Sequence, residues 1–183
     1  MLRNILAALL LTAAPAFAEG DGPGPNLVIE VSGAAKGEIV IDLDTKDAPK
    51  HVAQIVALAQ KGAYDGVVFH RVIDGFMAQT GDVQYGKSGG DTGQAGMGGS
   101  DMPNIPAEFS AVPFERGTVG MARSADPDSA NSQFFIMFAP GDFLNGQYTV
   151  IGKVIKGMDV VDAIQRGEPP ETPDVMTKVT VQE

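Results

Sequence analysis

Phe69-His70-Arg71-Val72-Ile73-Asp74-Gly75-Phe76-Met77-Ala78-Gln79-Thr80-Gly81-Asp82 is the stretch on which the fold turns. Its β-branched and aromatic residues fall into two runs, 67–73 and 76–80, on either side of Asp74-Gly75. An Asp-Gly pair between such runs is the strongest short-range sign of a β-hairpin, because glycine takes the positive φ that a tight turn needs. A two-residue turn there would pair Arg71 with Ala78 and leave Arg71 and Gln79 on opposite faces. The two would share a face only across an odd-numbered or bulged connection.

Upstream, residues 27–31 and 38–43 are β-branched runs joined by the glycine-bearing connection 33–37, a second hairpin. Asp47 can cap a helix with Pro49 in its first turn, Val52, Ile55, Val56 and Ala59 along one face, and Gly62 as its stop. Residues 81–106 then turn to Gly, Ser, Asp and Gln over a length that exceeds most connections, and read as a long surface loop. Strand character returns over 118–123 and 132–139. In the second of these Gln133, Phe135 and Met137 alternate with Phe134, Ile136 and Phe138, so one set faces the core and the other lines a concave surface. Residues 148–155 form a further strand, 158–164 a short helix with Val160, Val161 and Ile164 inward, and 175–181 a last strand beyond three prolines. About eight short strands and only two helices point to an antiparallel closed barrel or sandwich, not to a βαβ sheet.

The whole chain has 183 residues, 23 acidic against 13 basic side chains, and no cysteine or tryptophan. That length suits one domain. A net charge of −10 with no dense Lys/Arg cluster argues against nucleic acid as a partner. Without cysteine there is no disulfide scaffold, thiol nucleophile or thiolate metal site, and two isolated histidines, His51 and His70, do not make a zinc site. Residues 1–18 run from Arg3 through the apolar Ile5 to Leu11 stretch to Ala16-Phe17-Ala18, the order of a cleaved secretory signal. Its apolar part falls short of the ~20 residues that span a bilayer, so no stable membrane insertion follows cleavage. The expected product is a periplasmic or secreted chain, with residues 19–26 a Gly- and Pro-bearing leader and 27–183 the working domain.

Three motifs match on letters only. Residues 81–88 satisfy GxxxxGK[ST], but a phosphate loop needs a helix to start at the lysine, and Gly89, Gly90 and Gly93 oppose one. Residues 86–90 fit GxSxG and fail for the same missing helix. Asp126-Pro127-Asp128 resembles the start of a calcium loop but lacks its glycine and its bidentate glutamate, and a capped turn accounts for it better. His70, alone in a strand, reads as structural more readily than as an acid or base.

The opening stretch resembles the cyclophilin signature FHRVIxGFMxQxGD, and the blocks that follow resemble the rest of that family in the same order: Gly120-Met121-Ala122-Arg123, Asn131-Ser132-Gln133-Phe134-Phe135-Ile136, Phe143-Leu144-Asn145-Gly146 and Val150-Ile151-Gly152-Lys153-Val154. The resemblance runs over about residues 27–181. It implies a closed eight-stranded antiparallel barrel capped by two helices, and a peptidyl-prolyl cis-trans isomerase of proline-containing peptides that uses no cofactor or metal. The implied catalytic residues are Arg71 and Gln79; because the resemblance sets both in one groove, an odd-numbered or bulged connection at Asp74-Gly75 is the expectation. The implied substrate-binding residues are Phe76, Met77, Ala122, Gln133, Phe135 and Leu144, with Phe143 where well-known members have Trp, Tyr148 where they have His, and Arg123 where they have Asn. Tight cyclosporin binding, tied in the family to that Trp, is not implied. Together with the signal segment, the resemblance points to a foldase for unfolded exported proteins, with a monomer the simplest state. The alternative is a peptide-binding chaperone module that uses the same groove with little turnover.

Overall fold

The computed structural model describes residues 22–183. The expected signal segment, 1–18, and the first leader residues lie outside the described residues. Nine strands follow in chain order: β1 (Asn26–Ser32), β2 (Gly37–Leu43), β3 (Val67–Val68), β4 (Arg71–Ile73), β5 (Met77–Thr80), β6 (Thr118–Met121), β7 (Phe134–Met137), β8 (Val150–Lys156) and β9 (Val175–Gln182), with helices α1 (Pro49–Gln60) and α2 (Met158–Ala163). They form one sheet in the order β3-β9-β1-β2-β8-β6-β7-β5-β4, and every pairing is antiparallel.

The expected single strand over 67–73 is split, which corrects the count of eight to nine. Only Phe69 and His70 separate β3 from β4, the two outer strands of the sheet. Phe69 N donates to Asp174 O at 2.9 Å, on the β9 side, and His70 N to Gln79 O at 3.1 Å, on the β5 side. The backbone changes partner between neighbouring residues because the sheet curls until its first and last strands meet the same segment of chain.

The inner face of the curl carries the main core. Leu27 and Ile29 of β1, Ile39 and Ile41 of β2, Phe134 and Ile136 of β7, and Val52, Ile55 and Leu58 of α1 are all buried, with Phe69 and Tyr64 among them. Tyr64 meets Phe134 edge-on at 5.7 Å, donates from its hydroxyl to Ser132 O at 2.9 Å, and has its pKa raised by burial. Val160, Val161 and Ile164 point inward from α2 and its end, as their spacing predicts.

Helix α1 corrects a second expectation. Its N-cap position is Ala48, which makes no side-chain bond, while Asp47 only donates its amide to Asp44 Oδ1. The capping oxygens come from Glu108, which accepts the amides of Lys50 and His51 at 3.1 Å and lies 2.6 Å from His51 Nδ1. Burial pushes the Glu108 carboxyl up, but the bonds from the His51 ring and from the two amides together bring it below its ordinary value. A carboxyl lowered on folding stabilises the protein fully above the usual carboxylate range of about pH 4 to 4.5, and that stability is lost as pH falls through the lowered value. Glu108→Ala is expected to cost about 1–2 kcal/mol at neutral pH, as a lost cap does, and to flatten the acid limb of a thermal-unfolding series run against pH. An unchanged acid limb would remove this role.

Residues 81–106 contain no helix or regular strand, but the segment is tied down by bridges from Lys87 to Val67 and from Ile105 to Ala130. Lys87 Nζ donates to Ala63 O and Asp65 O, both at 2.6 Å, and burial lowers its pKa. The lysine of the phosphate-loop match is thus an internal strut, and no helix starts at it. Asp126 accepts the Asp128 amide in a 3-10 turn, Pro127–Ser129, and Asp128 accepts the amide of Ala107, so the calcium-like letters are a capped turn. Among the described residues no cluster of three or more His, Asp or Glu could hold a metal ion.

Candidate functional site

The β4–β5 register places the key side chains. Arg71 pairs with Gln79, Val72 with Ala78 and Ile73 with Met77, so the connection is the three residues Asp74, Gly75 and Phe76, with Gly75 at φ +68°. The odd number lets Arg71 and Gln79 share a face, as a common groove requires. Gln79 in turn pairs with Phe135 of β7, and Phe135 with Gly120 of β6. Arg71, Gln79, Phe135 and Gly120 therefore form one row across four strands on the outer face of the curl.

A second apolar cluster covers that face: Met77, Phe114, Phe135, Met137, Leu144 and Val150 are buried in it, with Phe76, Ala122 and Tyr148 packed alongside. Phe135 stacks on Phe114 at 5.7 Å and 20°. This stack needs a glycine at position 120, where a Cβ would come within 2.5 Å of Phe114 and 2.6 Å of Phe135. Tyr148 meets Phe135 edge-on at 6.0 Å, and the Arg123 guanidinium lies 4.3 Å from the Tyr148 ring centroid. Phe143, 65 % exposed on the 3-10 turn Asp142–Leu144, closes the far wall at 5.5 Å from Phe76.

The result is a groove of about 380 Å³. Arg71, Phe76, Met77, Gln79, Ala122, Arg123, Phe135, Phe143, Leu144 and Tyr148 all line it. Gln133, the remaining residue singled out from sequence, lines an adjoining polar hollow of about 520 Å³ together with Gly96 to Ser100 and Asn131. Gln147 also lines the groove and has no signal in the sequence; it is held there by Gln147 O, which accepts from Arg123 Nη2 at 2.9 Å.

A polar chain joins the two hollows. Arg71 Nη1 donates to Gln79 Oε1 at 3.4 Å, Gln79 Nε2 to Gln133 Oε1 at 2.9 Å, and Gln133 Nε2 to Gly96 O and Gly98 O at 2.9 and 2.7 Å. The amides of Gly96 and Gly98 donate to Oδ2 of the fully buried Asp82, whose Oδ1 accepts the amides of Gln84 and Tyr85. Asp82, the last residue of the signature stretch, thus anchors the loop against which Gln133 is set, through Gly96 and Gly98, 14 and 16 residues on. His70 is buried behind this loop, and burial outweighs the attraction of Asp82 to lower its pKa, so the ring is neutral at pH 7.

Among the described residues lining the groove there is no serine, histidine or carboxylate. Two guanidiniums stand at its rim, that of Arg123 engaged by Ser124 O, Gln147 O and the Tyr148 ring. An apolar floor with the Arg71 guanidinium beside it is suited to seating a small apolar ring and donating hydrogen bonds to what the ring carries, without nucleophilic attack or proton transfer from an ordinary acid.

Residues 27–183 match the family model described as "Cyclophilin type peptidyl-prolyl cis-trans isomerase/CLD". The chain is similar to a "Probable peptidyl-prolyl cis-trans isomerase" of Brucella suis, 50% identical over 192 residues and covering 99% of this chain and 96% of that one. In three dimensions it is similar to cyclophilin AquaCyp293 from Hirschia baltica, with TM-score 0.72, 28% identity and coverage of 85% of this chain and 73% of that chain. It also shares its fold with a Cryptosporidium parvum cyclophilin type isomerase crystallised in the presence of the dipeptide Ala-Pro, with TM-score 0.74, 24% identity and coverage of 86% and 99%.

Proposed function

The chain belongs to the cyclophilin-type peptidyl-prolyl cis-trans isomerase family and has that enzyme activity, and from this premise we propose that it serves as a foldase for exported proteins, with Arg71 as the hydrogen-bond donor and the adjoining apolar groove as the proline seat. The single observation that carries the site assignment is the shared row of Arg71, Gln79 and Phe135 beside Met77 and Leu144.

The chemistry asks for little else. Amide resonance holds an X-Pro bond behind a barrier of about 18–20 kcal/mol, and uncatalysed exchange takes tens to hundreds of seconds. In the perpendicular transition state that resonance is lost, the prolyl nitrogen pyramidalises and its lone pair becomes an acceptor. A donor aimed at it acts only in the transition state, which is what accelerates a reaction. Phe76, Met77, Phe135 and Leu144 hold the pyrrolidine ring while the carbonyl side rotates. Gln79 and Gln133 orient Arg71 and the peptide backbone. Arg123, Ala122, Phe143 and Tyr148 line the path of the flanking residues. With β3 and β4 read as one bent strand the curled sheet is an eight-stranded barrel, a stiff support for a site whose strand residues stand on β4, β5 and β7.

Support for export lies in residues 1–18, with their Arg3, apolar run and Ala16-Phe17-Ala18 site. Proline-containing segments of unfolded exported chains are then the substrates. In a bacterial host expressing the full chain, the expected product is recovered from the periplasm or medium with Glu19 as its first residue, and it accelerates the proline-limited refolding phase of a secreted protein. Recovery of the uncleaved chain from the cytoplasm alone would overturn the export reading and leave the isomerase activity untouched.

A further inference from the structure

Outside the groove, Arg71 has a partner that neither the motif blocks nor the polar chain includes. Its Nε donates to Glu168 Oε2 at 2.8 Å, between residues 97 positions apart. The position of Glu168 is built into the fold. Gly167 N donates to Val72 O and Gly167 O accepts from Val72 N, both at 2.8 Å, so residue 167 pairs with β4 one position along from Arg71. The loop that carries it is closed at its base by the fully buried Asp174, whose Oδ2 accepts the Gln165 amide and whose Oδ1 accepts the Ala35 amide, both at 2.7 Å.

A guanidinium is a rigid plane. With Nε on Glu168 and Nη1 directed at Gln79, the plane of Arg71 has one orientation, and Nη2 makes no hydrogen bond within the protein among the described residues. We propose that Glu168 is a positioning residue of the isomerase, holding Arg71 from outside so that its remaining N–H groups face the bound prolyl nitrogen. This rests on the reading of Arg71 as donor. The two side chains are 42% and 51% exposed, so the pair adds little to stability. Its consequence is orientation: a long side chain that otherwise samples many rotamers is set before substrate arrives.

The test is a kinetic series on a short X-Pro peptide, joined to the NMR signal of the Arg71 Nε–H. Glu168→Ala is expected to lower kcat about two- to fivefold with KM within about twofold of the parent, since a surface ion pair is worth at most about that much. Glu168→Gln, which keeps an acceptor oxygen, is expected to recover most of the loss. In an Arg71→Ala background Glu168→Ala should change nothing further, and in the single variant the Arg71 Nε–H signal should shift while distant amides stay in place. Parental kcat in Glu168→Ala, an unmoved Nε–H signal, or the same fall with and without Arg71 would overturn the assignment. If Arg71→Ala alone were as active as the parent, the donor reading would fall and this proposal with it, whereas loss at Arg71 without loss at Glu168 removes Glu168 alone.

Discussion

Arg71→Ala is expected to lower kcat/KM about 10- to 150-fold, the kinetic equivalent of one charge-assisted hydrogen bond of about 1.5–3 kcal/mol made only in the transition state. The fall should lie in kcat, with KM little changed, because the apolar floor of Phe76, Met77, Phe135 and Leu144 that binds the ring is untouched. Complete loss is not expected. A turnover near a thousand per second needs about 7 kcal/mol relative to exchange on the scale of minutes, and the guanidinium supplies less than half. Arg71→Lys should restore only part of the rate, since an ammonium cannot meet Glu168 and Gln79 in one plane as Nε and Nη1 do. The measurement is cis-trans exchange of an X-Pro peptide by NMR or a protease-coupled assay. Equal rates for the two chains would remove Arg71 from the mechanism and leave a binding groove.

Asp82→Ala is the substitution expected to cost most stability, about 3–5 kcal/mol by urea unfolding. It strips the partner from the amides of Gln84, Tyr85, Gly96 and Gly98 at once, each unsatisfied buried group costing about 1–3 kcal/mol and water replacing some of the bonds. That is a large fraction of the ~5–15 kcal/mol by which domains are stable. The functional consequence runs through Gln133, whose amide nitrogen is held by the carbonyls of the same Gly96 and Gly98. Isomerase activity should fall even at temperatures where the variant is folded. Asp82→Asn, with one acceptor oxygen left, should recover about half of the stability. A urea midpoint within error of the parent would show that the loop is held by something else.

Residues that meet along one strand or one hairpin are legible in the amino-acid sequence. Alternation separates Phe134 and Ile136 from Phe135 and Gln133, whereas the Asp-Gly pair by itself reads as a two-residue turn, and only the resemblance, which sets Arg71 and Gln79 in one groove, anticipates the three-residue connection over Asp74 to Phe76. The features that sequence reasoning gets wrong or does not reach involve longer range. Asp47 has the right chemistry for a cap, but Glu108 takes that place from a segment 58 residues away. Residues 67–73 read as one strand, because nothing local says that the backbone must change partners at Phe69 and His70. Glu168 lies among prolines in a stretch with no pattern, and only the bridge from Gly167 to Val72 brings it to Arg71.

Local order therefore determined where strands and turns fall and which residues alternate along each strand, since a period of two follows from the covalent chain. The tertiary structure alone decided which way Arg71 is turned, what anchors the loop behind Gln133 and where the curled sheet meets itself. Those depend on bonds between segments whose separation no periodicity encodes, and they form only when the sheet curls so that its two end strands, β3 and β4, neighbours in sequence, approach one another.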